Sequence, residues 1–244
     1  MMNQNNPVSF RVYPLGDTAI VLEFGNTIHY DIHKKVGAFS ASLAQHAFPG
    51  MIEYVPAFTT ITIFYDPWII SKYGKLDAYQ EIVSIINQLA INVREKEESI
   101  ARLIHIPVCY GREFGPDLAD AARHSSLAIE QVIAIHSNVE YLVYMIGFAP
   151  GFPYLGGMDE RIAMPRKATP RHLIPAGSVG IAGSQTGVYP IETPGGWQLI
   201  GRTPISLFDP LRHPPTLLQA GDKIRFIPIT REEYQARKEK EDGP

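Results

Sequence analysis

The hydrophobic pattern divides the chain near residue 100. Before it, strand-like and helix-like periods alternate. "FRVYPLGDTAIVLEFG", 10–25, predicts two short strands around a Leu15-Gly16-Asp17 turn. Over 31–45, Ile32, Val36, Phe39 and Leu43 recur on one helical face. "TTITIFYD", 59–66, alternates and is rich in β-branched and aromatic residues, which predicts a strand. Ile82, Ile85, Ile86 and Leu89 mark a second amphipathic helix. The order β-β-α-β-α predicts a small α+β domain with helices on one face of a sheet. The charged stretch "VREKEES", 93–99, reads as an exposed linker.

After residue 100, "RLIHIPVCY", 102–110, predicts a strand, and 117–136 a helical region. From 147 to 215 lie 11 of the 20 glycines and 11 of the 20 prolines, so the elements there must be short. "LIPAGSVGIAG", "GVYPIET", "WQLIGRTP" and "DKIRFIPI" are apolar pieces punctuated by turns, the grammar of a closed barrel or a sandwich. "GFAPGFPYLGG", 147–157, is too broken by proline for a helix and too apolar for a solvated loop; it packs in a β-rich core or lines a cleft. The polar tail, 231–244, reads as a fraying helix or a disordered end. The predicted organisation is an α+β domain over 1–98, a mainly-β barrel domain over 99–230 and the tail.

Composition narrows the class. With 45% hydrophobic and 19% charged residues the chain is globular. Its one cysteine, Cys109, excludes a disulfide framework and a CxxC zinc site. A net charge of -3 supplies no overall basic field for nucleic acid. No apolar run reaches the roughly 20 residues of a membrane span, and "MMNQNNPVSF" lacks a basic and an apolar signal region, so a soluble cytoplasmic protein is expected. Charge is uneven, however. From 161 to 225 there are 8 basic residues (Arg161, Arg166, Lys167, Arg171, Arg202, Arg212, Lys223, Arg225) against 3 acidic ones (Glu192, Asp209, Asp222). That excess suits an anionic small molecule or an acidic partner, and equally serves as scattered solubilising charge on loops.

Ser178 in "AGSVG" approaches a G-x-S-x-G nucleophile elbow, but Ala176 replaces the first glycine and both flanks read as strand, so it is a turn serine. "GSQTG", 183–187, lacks the lysine and the following helix of a phosphate loop; it reads as a hairpin turn from which Gln185 could present its amide. His29 and His33 stand at i,i+4, yet no third ligand is evident, so they read as surface residues and no metal is expected. His136 ends an apolar helix, where it complements the negative terminus and is also the best acid/base candidate. In "TPGGWQLIGRTP", 193–204, Arg202 needs a partner if buried, either Asp209 or a ligand carboxylate. The same holds for Arg166 and Arg171 in "MPRKATPRHLIP".

These residues carry a resemblance. "YMIGFAPGFPYLGG", "ATPR", "IPAGSVGIAGSQTGVYPIETPGGWQLIGRTP", "LFDP" and the earlier "PLGDTAIVLEFG" resemble the family of KipI and the B-type subunit of 5-oxoprolinase, also called allophanate hydrolase subunit 1-like, over residues 9–229. The resemblance implies a small N-terminal α+β domain and a C-terminal cyclophilin-like β-barrel. It implies ATP-dependent opening of 5-oxoproline to glutamate, carried out together with a KipA-like partner and a LamB/YcsF-like partner and not by this chain alone. ATP binding then belongs to a partner, since the chain shows no ATP-binding signature. Residue chemistry and motif membership together make Arg166, Arg171 and Arg202 electrostatic clamps for a carboxylate or phosphate. Gln185, Tyr189 and Trp197 would shape the pocket, with Phe152 and Tyr154 divided between core and cleft. The rival reading is a KipI-type protein that inhibits a sporulation sensor histidine kinase through exposed apolar barrel loops. Peptidyl-prolyl isomerisation has no cyclophilin motif behind it, and a shared barrel does not imply a shared site. The chain departs from the family at Ala128, where a serine often caps the helix, and at Met158 and Met164.

Overall fold

A computed structural model describes residues 9–27, 29–93 and 101–241. The opening eight residues and most of the charged stretch at 93–99 lie outside the described residues. The chain divides into two compact units, Met1–Ser99 and Ile100–Pro244.

The first unit contains β1 (Arg11–Pro14), β2 (Ala19–Glu23), α1 (Tyr30–Gln45), β3 (Met51–Pro56), β4 (Thr60–Tyr65), α2 (Pro67–Ile70) and α3 (Ala78–Asn92). The strands form an antiparallel sheet of order β1-β2-β4-β3. Ile20, Leu22, Ile61 and Ile63 alternate along two paired strands and pack with Val36, Phe39 and Leu43 of α1 and Ile82 and Ile86 of α3. Asp66 and Asp77 cap α2 and α3 with their carboxylates. The sequence pattern misses β3. It is an edge strand with three exposed positions, so it shows no buried alternation. His33, expected at the surface, is buried on the inner face of α1, and burial lowers its pKa.

The second unit contains β5 (Leu103–Tyr110), α4 (Leu118–His124), α5 (Ile129–Ser137), β6 (Tyr141–Ile146), β7 (Pro153–Gly156), β8 (Arg171–Ile174), β9 (Ser178–Ala182), β10 (Gln185–Val188), β11 (Thr193–Gly195), β12 (Gln198–Arg202), β13 (Lys223–Pro228) and α6 (Arg231–Glu241). Seven strands close a barrel in the order β10-β7-β6-β13-β5-β12-β9, which settles barrel over sandwich. β5 and β13 pair in parallel over six residues; the other barrel pairs are antiparallel. Inside lie Ile106, Val108, Val143, Leu155, Val179, Ile181, Val188, Ile200 and Phe226. β8 and β11 form a separate two-stranded flap.

Two local expectations change, and the choice left open for the tail is decided. The helical region 117–136 is two helices, broken where Ser126 takes a positive φ. At Ala128 the missing cap is half replaced: Gln131 Oε1 accepts the Ala128 N–H at 2.8 Å. The described part of the tail is a helix with a built start. Thr230 and Glu233 each accept the other's backbone N–H, and Tyr234 packs against Phe114.

The segment before α4 lies directly on β12. Gly111 N–H donates to Ile200 O (3.0 Å) and Asp117 N–H to Leu199 O (2.9 Å). A Cβ at Gly115 would collide with the Ile200 carbonyl, so only glycine lets the two backbones approach this closely. Gly115→Ala is expected to destabilise the protein by about 1–3 kcal/mol. Denaturant unfolding measures it; a loss under about 0.5 kcal/mol would mean the segment moves away freely.

Candidate functional site

Asp117 is the nominal N-cap of α4, but its carboxylate does not cap the helix. It turns inward and is 3% exposed. Oδ2 accepts the Leu199 N–H at 2.7 Å. Oδ1 accepts from Arg171 NH2 at 2.7 Å and from Lys167 Nζ at 3.1 Å. Burial alone would raise the pKa of Asp117; the bonds from Arg171, Leu199 and Lys167 outweigh it and lower the pKa, so the group is a carboxylate. The two cations keep 26% (Arg171) and 30% (Lys167) of their side-chain surface in water. Arg166 is exposed beside them. Three cations against one carboxylate leave a net positive rim along 166–171.

An aromatic layer outside the barrel wall supports this rim. Phe152 contacts Tyr154, Tyr189 and Trp197 edge-on, at centroid distances of 5.1, 5.4 and 5.5 Å. A Cβ at Gly187 of β10 would meet both Phe152 and Trp197, and Gln185 shares that outer face two residues away. Arg171 also reaches the Trp197 carbonyl. Burial raises the Tyr189 pKa to about 12, so its phenol is neutral, with Arg166 and Arg171 close enough to favour the ionised form slightly. The loop of "GFAPGFPYLGG" joins β6 to β7 and is tied by Gly147 N–H to Phe152 O (3.0 Å). Gly151 has a positive φ and packs against Phe208, while Phe148, also at positive φ, is 69% exposed.

The structure therefore brings Arg166, Arg171, Gln185, Tyr189, Trp197, Phe152 and Tyr154 to one side of the barrel. It corrects some of their roles. Phe152, Tyr189 and Trp197 are buried, so they support the rim and offer almost no surface to a ligand, whereas Tyr154 is half-exposed. Arg202 is elsewhere. Its guanidinium meets the Tyr234 hydroxyl of α6, and its Nε is buried without a hydrogen bond. Asp209 is not its partner; Asp209 Oδ1 accepts the Leu211 N–H in a local turn. Ser178, which opens β9, is fully buried, and the 183–187 stretch is the β9–β10 hairpin with a positive φ at Gly183. Among the described residues no three His, Cys, Asp or Glu side chains form a group able to hold a metal, and no helix is long and apolar enough to cross a membrane.

His136 is the clearest correction. It is 0% exposed, inside the barrel end, with its ring stacked on Phe226 at 4.6 Å. Thr186 Oγ1 donates to Gly180 O (3.0 Å), so it must accept from His136 Nε2 (2.9 Å). That leaves Nδ1 as the acceptor of the Tyr110 hydroxyl (2.8 Å). Both ring nitrogens are committed, and burial lowers the pKa to about 3. A neutral, sealed imidazole is neither an acid/base catalyst nor a charged helix cap. Sequence position had suggested both roles because burial is invisible in it.

Asp117 and Lys167 are the residues that sequence reading missed. "GPDL" before a helix looks like an ordinary cap, and Lys167 was one basic residue among eight. The signal that could have found them was the imbalance itself, because half-buried cations call for a buried carboxylate.

Residues 10–218 match the family described as the carboxyltransferase domain, subdomain C and D. The chain belongs to this family. Within it, the chain is 50% identical to the B-type subunit of 5-oxoprolinase from Bacillus subtilis (strain 168), across 95% of this chain and 98% of that one. It is 45% identical to the corresponding 5-oxoprolinase subunit of Escherichia coli O157:H7, across 89% and 95%. The crystal structure of TTHA0988 shares its fold with a TM-score of 0.74 at 33% identity, covering 86% of this chain; this chain spans 40% of that longer one. Its family kinship thus extends over both units and includes the 166–171 rim.

Two outcomes follow from the buried groups. Asp117→Asn leaves Arg171 and Lys167 without a counter-charge and is expected to cost about 2–3 kcal/mol, less than for a fully dry pair because both cations keep water. Urea unfolding reads this, and a neutral result would mean the cations pair elsewhere. For His136, the folded pKa lies below the unfolded value of 6.5, so the unfolded state binds the extra proton. Its contribution is complete above pH 6.5 and is lost as pH falls toward about 3, with a slope of up to about 1.4 kcal/mol per pH unit. His136→Gln should flatten that slope; an unchanged pH profile would contradict the assignment.

Proposed function

We propose that this chain is the B-type subunit of an ATP-dependent 5-oxoprolinase, a cytoplasmic complex that opens 5-oxoproline to glutamate with a KipA-like partner and a LamB/YcsF-like partner. The observation that carries the reading is the 50% identity to a 5-oxoprolinase subunit of this type over nearly the whole of both chains. The seven-stranded barrel is the cyclophilin-like domain of that reading. The chemistry of the rim fits it. 5-Oxoproline is a cyclic amide with one carboxylate, and any phosphorylated form adds anionic oxygens. Arg166, Lys167 and Arg171, with one charge cancelled by Asp117, supply a surplus of guanidinium and ammonium donors for such a group.

The rim lies partly open to water, so a partner surface is needed to enclose the substrate and exclude solvent. ATP is handled by the partner proteins in this reading. The glycine-rich 183–187 stretch is a paired β-hairpin, with no lysine and no following helix to cradle phosphates.

The test is reconstitution of this chain with its KipA-like and LamB/YcsF-like partners, with ATP-dependent glutamate formation from 5-oxoproline as the readout. Activity that requires all three proteins supports the proposal; none in any combination sinks it. Arg166 makes no ion pair among the described residues, so Arg166→Ala should leave the thermal midpoint unchanged. It should lower kcat/KM about tenfold or more, as expected for loss of a charged substrate contact.

A further inference from the structure

The first unit holds a site of different chemistry. The β1–β2 turn, the end of β4 and the start of α3 line an open pocket of about 350 Å³ formed by Pro14, Gly16, Asp17, Tyr65, Asp77 and Tyr79, with Pro67 and Ala78 between them; Asp17 and Asp77 are exposed at its mouth. Tyr65 is 2% exposed, yet its hydroxyl has no hydrogen-bond partner among the described residues. That hydroxyl faces the carboxylates: burial raises the Tyr65 pKa first, and Asp17, Asp77 and Tyr79 raise it further. Asp77 spends Oδ1 on the Gln80 N–H at 2.8 Å, and Oδ2 accepts from no described donor. Neither Asp17 nor Asp77 makes an ion pair among the described residues.

The cavity thus presents two carboxylates without a counter-cation, one phenol oxygen without a partner, and two aromatic rings. An anion would be repelled, and an apolar guest would leave the Tyr65 hydroxyl unpaired. A bare divalent ion normally takes six or more oxygens, and no third acidic or imidazole ligand stands close enough to complete a metal group among the described residues. A flat or compact organic cation satisfies each feature. It pairs with carboxylates, gives its remaining N–H to the phenol oxygen, and rests favourably beside aromatic rings. The volume is that of a small-molecule site.

We propose that this cavity binds an organic cation, a guanidinium or a protonated amine, with Asp17 and Asp77 as counter-ions and the Tyr65 hydroxyl as acceptor. The group can come from a free small molecule or from an arginine or lysine side chain presented by another polypeptide. The site is independent of the 5-oxoprolinase reading and stands or falls apart from it.

The test is an amide NMR titration of the full, isotope-labelled chain with two probes. Agmatine represents the free cation, and an acetylated arginine-glycine amide represents a presented side chain. Saturable shifts confined to 14–18, 65–67 and 77–80, with Kd on the order of 1 mM or tighter for either probe, support the site; the tighter probe identifies the source. Asp77→Asn keeps a residue able to cap α3, and Tyr65→Phe keeps the buried ring, so both should fold. The Asp17→Asn/Asp77→Asn double variant should weaken binding about tenfold or more, the effect of losing two charged contacts. Failure of both probes to saturate overturns the proposal. So do shifts that magnesium chloride reproduces at equal ionic strength, and binding that survives in the double variant.

Discussion

The buried carboxylate of Asp117 is the constraint on which the candidate site depends. One oxygen fixes the backbone of β12 through Leu199, and the other gathers Arg171 from the flap and Lys167 from the segment before it. A charge this deeply buried is tolerable only when its acceptor sites are filled by donors that are themselves held in place. The three donors here come from two separate parts of the chain, the 167–171 stretch and β12. The approach of 111–117 to β12, which Gly115 permits, therefore also sets where the cationic rim stands. Were Asp117 an ordinary helix cap, Arg171 and Lys167 would be independent side chains with no common anchor.

The barrel wall is built from both sides. Inside, aliphatic residues and the His136–Tyr110–Thr186 chain fill the core, with every polar atom of that chain paired. Outside, Phe152 and Trp197 pack against the glycines of β9 and β10, where a Cβ at Gly180 or Gly187 would crowd Trp197, and Tyr189 packs against Gly195 of β11. Small residues in these strands thus make room for an aromatic layer, and the flap of β8 and β11 rests on it. The cations of the rim stand at the start of the flap and just before it, outside the interior network. This separation lets the interior be sealed and neutral while the rim stays charged.

Elements with strong periodicity were legible in the sequence. α1, α3, β2, β4 and β5 follow directly from spaced Ile, Val, Leu and Phe, and the Gly/Pro grammar after 147 pointed to a barrel or a sandwich. The edge strand β3 was not legible, since an edge strand half in water carries no inner face to read. The site was legible as a set of residue types, because cations and aromatics in one region must be reconciled with burial somehow. The assignments within it were not. Whether Phe152 or Tyr154 faces solvent, and whether Arg202 joins Arg171 or Tyr234, depends on which strands become neighbours across the barrel. Asp117 lies 50 and 54 residues from its two cations, a separation no local pattern records.

His136 and Asp117 show why burial alone predicts no chemistry. Both are almost fully buried, and burial opposes the charged form of each. His136 meets one hydroxyl donor and one hydroxyl acceptor, which match a neutral imidazole, so desolvation prevails and the ring stays uncharged. Asp117 meets a guanidinium, an ammonium and a backbone N–H, all donors, so hydrogen bonding prevails and the group stays ionised. The two then respond to acid in different windows. The His136 contribution begins to fall below pH 6.5, whereas that of Asp117, whose pKa is lowered from 3.8, is kept until pH drops below that value. Acid therefore weakens the sealed interior of the barrel before it reaches the anchor of the rim.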